Sequence, residues 1–340
     1  MINITKKEEC AGCYACVNIC PQNCIIMKTD IEGFWYPLVE VDKCTNCNLC
    51  DKVCPIINKP NVKNEPLAYS CFNKNEEIRL KSSSGGIFTL IAEEIIAEGG
   101  IVFGARFDND FNVIHDSVDN LEDLSLFVGS KYVQRKIGET YKIAKNYLKQ
   151  GRKVLFSGTP CQIAGLKSFL MKDYNSLLTL DFFCHGVPSP KVWEKYVAYM
   201  ENSVGSKMVS VSFRSKEKGW KLFSMSASFE NGFKYSEPLN KDLYLVSFLK
   251  NLSLRPSCYN CQFKGINRIS DITLADFWGV QNILPDMDDD RGTSLILINT
   301  SKGHEMFQKI KSKMMFKKVD LDKAVLYNSN AITSVRYNPK

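Results

Sequence analysis

The sequence predicts a chain of two parts: a small α+β unit over residues 1–60, then a mixed-sheet α/β domain whose C-terminal part contains a β-hairpin. Three observations carry this expectation. Nine of the 14 cysteines lie in the first 54 residues, strand-like apolar runs alternate with helical patterns from 87 to 183, and Asn231-Gly232 sits between alternating segments. With 340 residues, 44% of them apolar and 24% charged, the chain has the length for two or three domains and a true core, which excludes a disordered or mini-protein class. No apolar run approaches the roughly 18 residues of a membrane span. The first ten residues lack the apolar segment of a secretory signal, so a reducing, cytoplasmic setting is expected.

Residues 10–21 read Cys-Ala-Gly-Cys-Tyr-Ala-Cys-Val-Asn-Ile-Cys-Pro, and residues 44–55 read Cys-Thr-Asn-Cys-Asn-Leu-Cys-Asp-Lys-Val-Cys-Pro. Both follow C-x2-C-x2-C-x3-C-P. In a long chain of this kind, tight local cysteine spacing points to metal ligation and away from a disulfide scaffold. Three thiolates on one loop cap three corners of a 4Fe–4S cubane, and the fourth, carried off on the following helical turn, reaches the other cubane. The expected sets are therefore Cys10, Cys13 and Cys16 with Cys54, and Cys44, Cys47 and Cys50 with Cys20. Pro21 and Pro55 end each run with a fixed turn. A pair of zinc knuckles is the alternative for four thiolates, but zinc needs only two ligands per knuckle, and the duplicated run of four suits cubanes better. The segment resembles a bacterial two-cluster ferredoxin. Cys24 falls outside the pattern and is expected as a small core residue beside a cluster.

Residues 58–66, polar and holding Pro60 and Pro66, read as a linker, with a new domain from Leu67. Helical patterns at 87–97, 138–149 and 162–171 alternate with strand patterns at 101–107, 153–156 and 177–183. Residues 208–213, 223–229 and 233–235 supply the hairpin region. A strand at 295–299 and an amphipathic helix at 302–314 follow. Of the five remaining cysteines, Cys161 directly follows a strand and precedes a helix, and Cys184 ends a strand, which places both at the sheet edge where open α/β sheets bind ligands. Cys258-Tyr-Asn-Cys261 is a two-ligand knuckle. Cys161, Cys184, Cys258 and Cys261 are enough for a third 4Fe–4S cluster. A redox dithiol or half a zinc site at Cys258 and Cys261, with Cys161 a buried small residue, is the plainer alternative. His185 is expected as an outer hydrogen-bond donor or a turn residue, and Cys71 as a core residue.

Ser82-Ser-Ser-Gly-Gly86 runs into the helical pattern at Ile87, and Gly158-Thr159 precedes another helix; both look like anion cradles at helix N-termini. The first is equally an N-cap and a flexible turn. Together with Ser130-Lys-Tyr-Val-Gln134, Phe156-Ser-Gly-Thr-Pro-Cys-Gln162, Cys184-His-Gly-Val-Pro-Ser-Pro190, Asp271-Ile-Thr-Leu-Ala-Asp-Phe-Trp-Gly279 and Arg291-Gly-Thr-Ser294, these segments make residues 67–318 resemble the coenzyme F420 hydrogenase/dehydrogenase beta subunit family, its N-terminal region at 67–150 and its C-terminal region at 151–318, followed by a tail at 319–340. The resemblance implies a flavin-binding α/β domain with FAD beside an internal 4Fe–4S cluster. It places Ser84, Gly85, Gly86, Lys131, Gly158 and Thr159 near the flavin, Asp276, Trp278 and Arg291 near the cofactor or substrate pocket, and Lys131 and Asp276 in catalytic roles. Asp276 and Trp278 read equally as a satisfied core pair, and Arg291 as a surface residue closing the acidic loop 286–290.

The resulting expectation is an iron–sulfur flavoprotein oxidoreductase. It would exchange electrons with ferredoxin or another redox protein or subunit, and hydride with a small molecule such as coenzyme F420, alone, as a homo-oligomer or in a larger complex. A flavin-free electron-transfer module is the alternative. Nucleic acid is not expected as a partner: the formal charge of +7 is dispersed, and three all-cysteine cubanes at about −2 each would bring it to about +1. The basic residues of 309–318 read as the polar face of a helix or a docking patch for an acidic ferredoxin.

Overall fold

In the computed structural model, which describes residues 1–338, each cysteine run turns into a short helix. Tyr14 (φ 66°) and Asn48 (φ 57°) adopt the left-handed conformation and start the helices Ala15–Ile19 and Leu49–Lys52, which carry Cys20 and Cys54 away from the loops before them. Between the runs, β1 (Ile25–Thr29) and β2 (Trp35–Val39) pair antiparallel with Ile25 opposite Val39. This is the small N-terminal α+β unit.

The body is built on an eight-stranded sheet. Its strands are β3 (Leu67–Asn73), β4 (Ile101–Phe107), β5 (Val113–Val118), β6 (Val154–Ser157) and β7 (Leu177–Phe182). A separate small sheet takes β8 (Met208–Ser215), β9 (Ser224–Phe229) and β10 (Lys234–Pro238), and the large sheet is completed by β11 (Ile272–Asp276), β12 (Ser294–Ile298) and β13 (Met314–Val319). The large sheet runs β13-β3-β12-β11-β7-β6-β4-β5. Its centre, β11-β7-β6-β4, is parallel and its flanks are antiparallel. The fully buried runs Val154-Leu-Phe and Leu295-Ile-Leu show why: strands covered on both faces need no polar alternation. Helices Ile87–Ala97 and Ser301–Ile310 cover one face through Leu90, Ile91, Phe307 and Ile310. Helices Thr140–Lys149 and Pro160–Leu170 cover the other through Tyr141, Leu148, Ile163 and Phe169, and Tyr14, Ala15 and Val53 of the N-terminal unit join that same core. Asn231-Gly232 closes the β9-β10 hairpin of the small sheet, where Gly232 has φ +83°.

Two expectations are corrected. The helix expected at 302–314 ends at Ile310, and Met314 begins a strand at the edge of the sheet. The basic residues of 309–318 are consequently not one helical face: Lys317 and Lys318 lie on that edge strand, where charge discourages pairing with another sheet. In the tail from 319, Ala324 and Val325 are buried and Val335 packs with Phe248 and Leu254. Among the described residues no helix is long and apolar enough to cross a membrane.

Candidate cluster and cofactor site

The two N-terminal cysteine sets line two cavities in the crossed grouping. One, of about 340 Å³, is lined by Cys20, Cys44, Cys47 and Cys50, with Cys24 and Met1. The other, of about 360 Å³, is lined by Cys10, Cys13, Cys16 and Cys54, with Ala11 and Ile56. Cys24 is buried, with its sulfur 3.4 Å from that of Cys20. Cys71 is buried on β3.

The third set forms where the parallel strands end. β6 delivers Gly158 and Thr159 to the helix Pro160–Leu170, whose first turn carries Cys161, and β7 delivers Cys184. A bridge between Pro188 and Leu254 brings the 3-10 turn Pro256–Cys258 alongside, and with it Cys261. Cys161, Cys184, Cys258 and Cys261 line a cavity of about 580 Å³ together with Lys264 and Arg268. Ala11 and Ile56 also line it, so one thin wall separates this cavity from that of Cys10, Cys13, Cys16 and Cys54. His185 is turned to Asn251, its Nε2 2.6 Å from Oδ1.

Two glycines let the N-terminal unit approach this closely. A Cβ on Gly165 would stand 3.0 Å from the Cys13 sulfur. One on Gly12, where φ is +65°, would meet the Gln134 amide at 2.5 Å. Among the described residues no three His, Cys, Asp or Glu side chains converge on a point able to hold a single ion. The thiols line the walls of the three cavities, where their donor chemistry fits an iron–sulfur cluster. Burial, with neighbouring thiols adding to it, pushes Cys13 and Cys16 well up, and burial pushes Cys161 up to about 12, so metal entering these sites must displace protons.

The residues expected around a flavin sit on several loops, and none of them lines the three cavities. Ser83 Oγ accepts from the Ser130 amide, Ser84 Oγ donates to the Thr293 carbonyl, the Gly85 amide donates to Ser294 Oγ, and Gly86 (φ +79°) starts the helix after it. Thr159 caps its own helix in a capping box with Gln162, whose Oε1 accepts from the Thr159 amide; the Gly158 amide donates to Leu180. Both loops thus spend these donors inside the chain. Asp276 pairs with Arg214 (2.9 Å) and accepts from Trp220 Nε1, and the Trp220 indole stacks on Trp278 at 4.8 Å. The Arg291 guanidinium, 57% exposed, pairs with Glu76.

The sequence did not single out Arg135, Arg214, Lys216 or Arg255, although Arg135 directly follows the motif at 130–134 and Arg255 stands three residues before Cys258. Lys131 donates to the Val128 and Gly129 carbonyls, and Lys216 to those of Arg79, Ser84 and Arg291. Burial pushes both amines down to about 7, the nearby Arg135 and Arg214 adding to the effect. An unfolded lysine holds its proton to about 10.5, so between pH 7 and 10 the unfolded chain binds more protons than the folded one and stability rises with pH across that window. Denaturant titrations of cofactor-free protein at pH 7 and pH 9 are expected to show this rise, and Lys216→Met to flatten it. Two half-buried amines that, among the described residues, have no carboxylate within 4.0 Å fit an anionic group in charge.

Three comparisons bear on identity. Residues 151–324 match the family model for the C terminus of the coenzyme F420 hydrogenase/dehydrogenase beta subunit, and residues 9–57 that of the 4Fe-4S dicluster domain. An uncharacterized protein of Methanocaldococcus jannaschii is 29% identical over 209 residues, which is 52% of this chain and 56% of that protein, so the chain spans little more than half of that relative. An uncharacterized ferredoxin of the same organism is 32% identical over 80 residues, 22% of this chain and 94% of its own length. In solved structures, a chain of the F420-reducing NiFe hydrogenase complex of Methanosarcina barkeri shares the fold with a TM-score of 0.54 and 22% identity, over 80% of this chain and 91% of that one. With the family model matched over half of its length, this chain belongs to the coenzyme F420 hydrogenase/dehydrogenase beta subunit family and carries a 4Fe-4S dicluster domain at its N-terminus.

Proposed function

We propose that the chain is an iron–sulfur flavoprotein oxidoreductase that moves electrons between a redox protein or partner subunit and a small hydride carrier, coenzyme F420 or a similar acceptor. Twelve cysteines would hold three 4Fe–4S clusters: Cys10, Cys13, Cys16 and Cys54; Cys20, Cys44, Cys47 and Cys50; Cys161, Cys184, Cys258 and Cys261. The observation that carries this reading is the order of the three cavities, the second opening beside Cys47 at the exposed end and the first sharing its Ala11–Ile56 wall with the third. That order makes a wire from the surface to the edge of the parallel strands, where ligands bind in open α/β sheets.

FAD, when bound, supplies the conversion between single electrons and a hydride. Ser84, Gly85, Gly86, Gly158, Thr159, Trp278 and Arg291 would surround it. Lys131, half-buried and, among the described residues, with no carboxylate within 4.0 Å, would take up a proton on meeting an anionic ring or phosphate and hold that charge in place. Asp276 would act by fixing Arg214 and Trp220 at the same site. Lys131→Ala is expected to lower turnover with coenzyme F420, NAD, NADP or viologen as acceptor about a hundredfold while leaving iron content unchanged; loss of iron would give Lys131 a structural role instead. A second reading, a flavin-free relay serving a separate enzyme, is favoured by the donors already spent inside loops 82–86 and 158–159. Acid-released supernatant holding about one flavin per chain decides for the oxidoreductase. None after reconstitution with FAD and FMN decides for the relay.

A further inference from the structure

Five arginines are buried: Arg79, Arg135, Arg214, Arg255 and Arg268. Three of them have a carboxylate near, Asp289 at 2.6 Å, Asp276 at 2.9 Å and Asp181 at 3.9 Å respectively for Arg79, Arg214 and Arg268. Among the described residues Arg135 and Arg255 have no carboxylate within 4.0 Å, and a buried guanidinium without a counter-charge is costly. Both stand against the cysteine sets, where the third cavity is lined as well by Arg268, already near Asp181, and by Lys264. Arg255 Nε donates to the Cys10 carbonyl (2.8 Å), Nη1 to Gln134 and Nη2 to the Trp35 carbonyl, and the group lies 4.2 Å over the Tyr36 ring. Arg135 Nε donates to Gln162 Oε1 (2.7 Å), next to Cys161 in the chain, and its charge is within reach of the Cys161 and Cys184 thiols. Its Nη2 is buried with no partner.

We propose that Arg135 and Arg255 are the built-in counter-charges of the third and first clusters and hold their reduction potentials up. The inference rests on the three-cluster reading above. A cubane with four thiolates carries about −2, and on accepting one electron from an external reductant such as dithionite it reaches about −3 with no bond made or broken. A fixed cation beside it favours the reduced form more than the oxidised one.

The test is a mediated redox titration of the iron-loaded full chain, followed by electron paramagnetic resonance, with the third signal identified as the one missing from a Cys258→Ser/Cys261→Ser variant. Arg135→Gln is expected to shift the reduction equilibrium of the third cluster alone toward the oxidised form by tenfold or more, which is 59 mV for a one-electron couple. Arg135→Lys, which keeps the charge, stays within about threefold of the parent, and Arg255→Gln shifts the first cluster. Unmoved potentials in fully loaded Arg135→Gln and Arg255→Gln overturn the proposal, as does Arg135→Lys shifting as far as Arg135→Gln. Loss of the third cluster from both Arg135 variants overturns it in favour of a packing role. A parent chain with only two cluster signals overturns the three-cluster reading itself, before any arginine variant is compared.

Discussion

Anaerobically loaded chain is expected to carry about twelve irons, and the Cys258→Ser/Cys261→Ser variant about eight. Two of the four thiols lining the third cavity would be gone, and Cys161 and Cys184 alone cannot hold a cube. The N-terminal cavities, lined by other cysteines, keep their iron and their spectra. Iron and acid-labile sulfide analysis of both proteins checks this. A parent value of about eight irons with one zinc would replace the third cluster by a structural zinc site.

Asp276→Asn is expected to destabilise the chain by about 3–5 kcal/mol, because it leaves Arg214 buried without its counter-charge. Arg214 is also enclosed by the Phe223 ring at 3.9 Å, so water cannot stand in for the carboxylate. Replacing both partners, Arg214→Met with Asp276→Leu, is expected to recover most of the loss, since neither then leaves a charge behind. Chemical denaturation of the three proteins measures it. If Asp276→Asn unfolds at the parent's denaturant concentration yet abolishes turnover, Asp276 acts in the chemistry and not through Arg214.

The parts of this chain legible from sequence are those whose chemistry is local. A cubane loop needs its thiolates within a few residues, so the two runs announce themselves, and Asn231-Gly232 announces a hairpin because its backbone twist suits few other residues. The alternation of β4, β6 and β7 with their helices is equally plain, as strands buried on both faces carry unbroken apolar runs. No expectation covers Pro190–Val204, although Ser189 caps it, Pro190 opens it and Trp193, Tyr196, Val197 and Met200 fall at i, i+3, i+4 and i+7 on one face. The edge strand β13 was hidden for a different reason: exposed at four of its six positions, Met314–Val319 shows little of the pattern of a buried strand. Arg135 and Arg255 could not be chosen because a lone arginine reveals its role only through what fails to pair with it.

The third cavity also bears on how the protein matures. The cysteines of the first two sets lie within a stretch ending at Cys54, so both could bind iron while later parts of the chain are still emerging from the ribosome. Cys161, Cys184, Cys258 and Cys261 meet only after β6, β7 and the bridge between Pro188 and Leu254 have formed, and Cys261 is further held through its amide by Ser334 near the other end of the chain. Contacts so distant in sequence close late in folding. Cluster insertion would thus follow two clocks, and iron starvation during synthesis is expected to yield a folded population charged at its N-terminus and empty at the sheet edge.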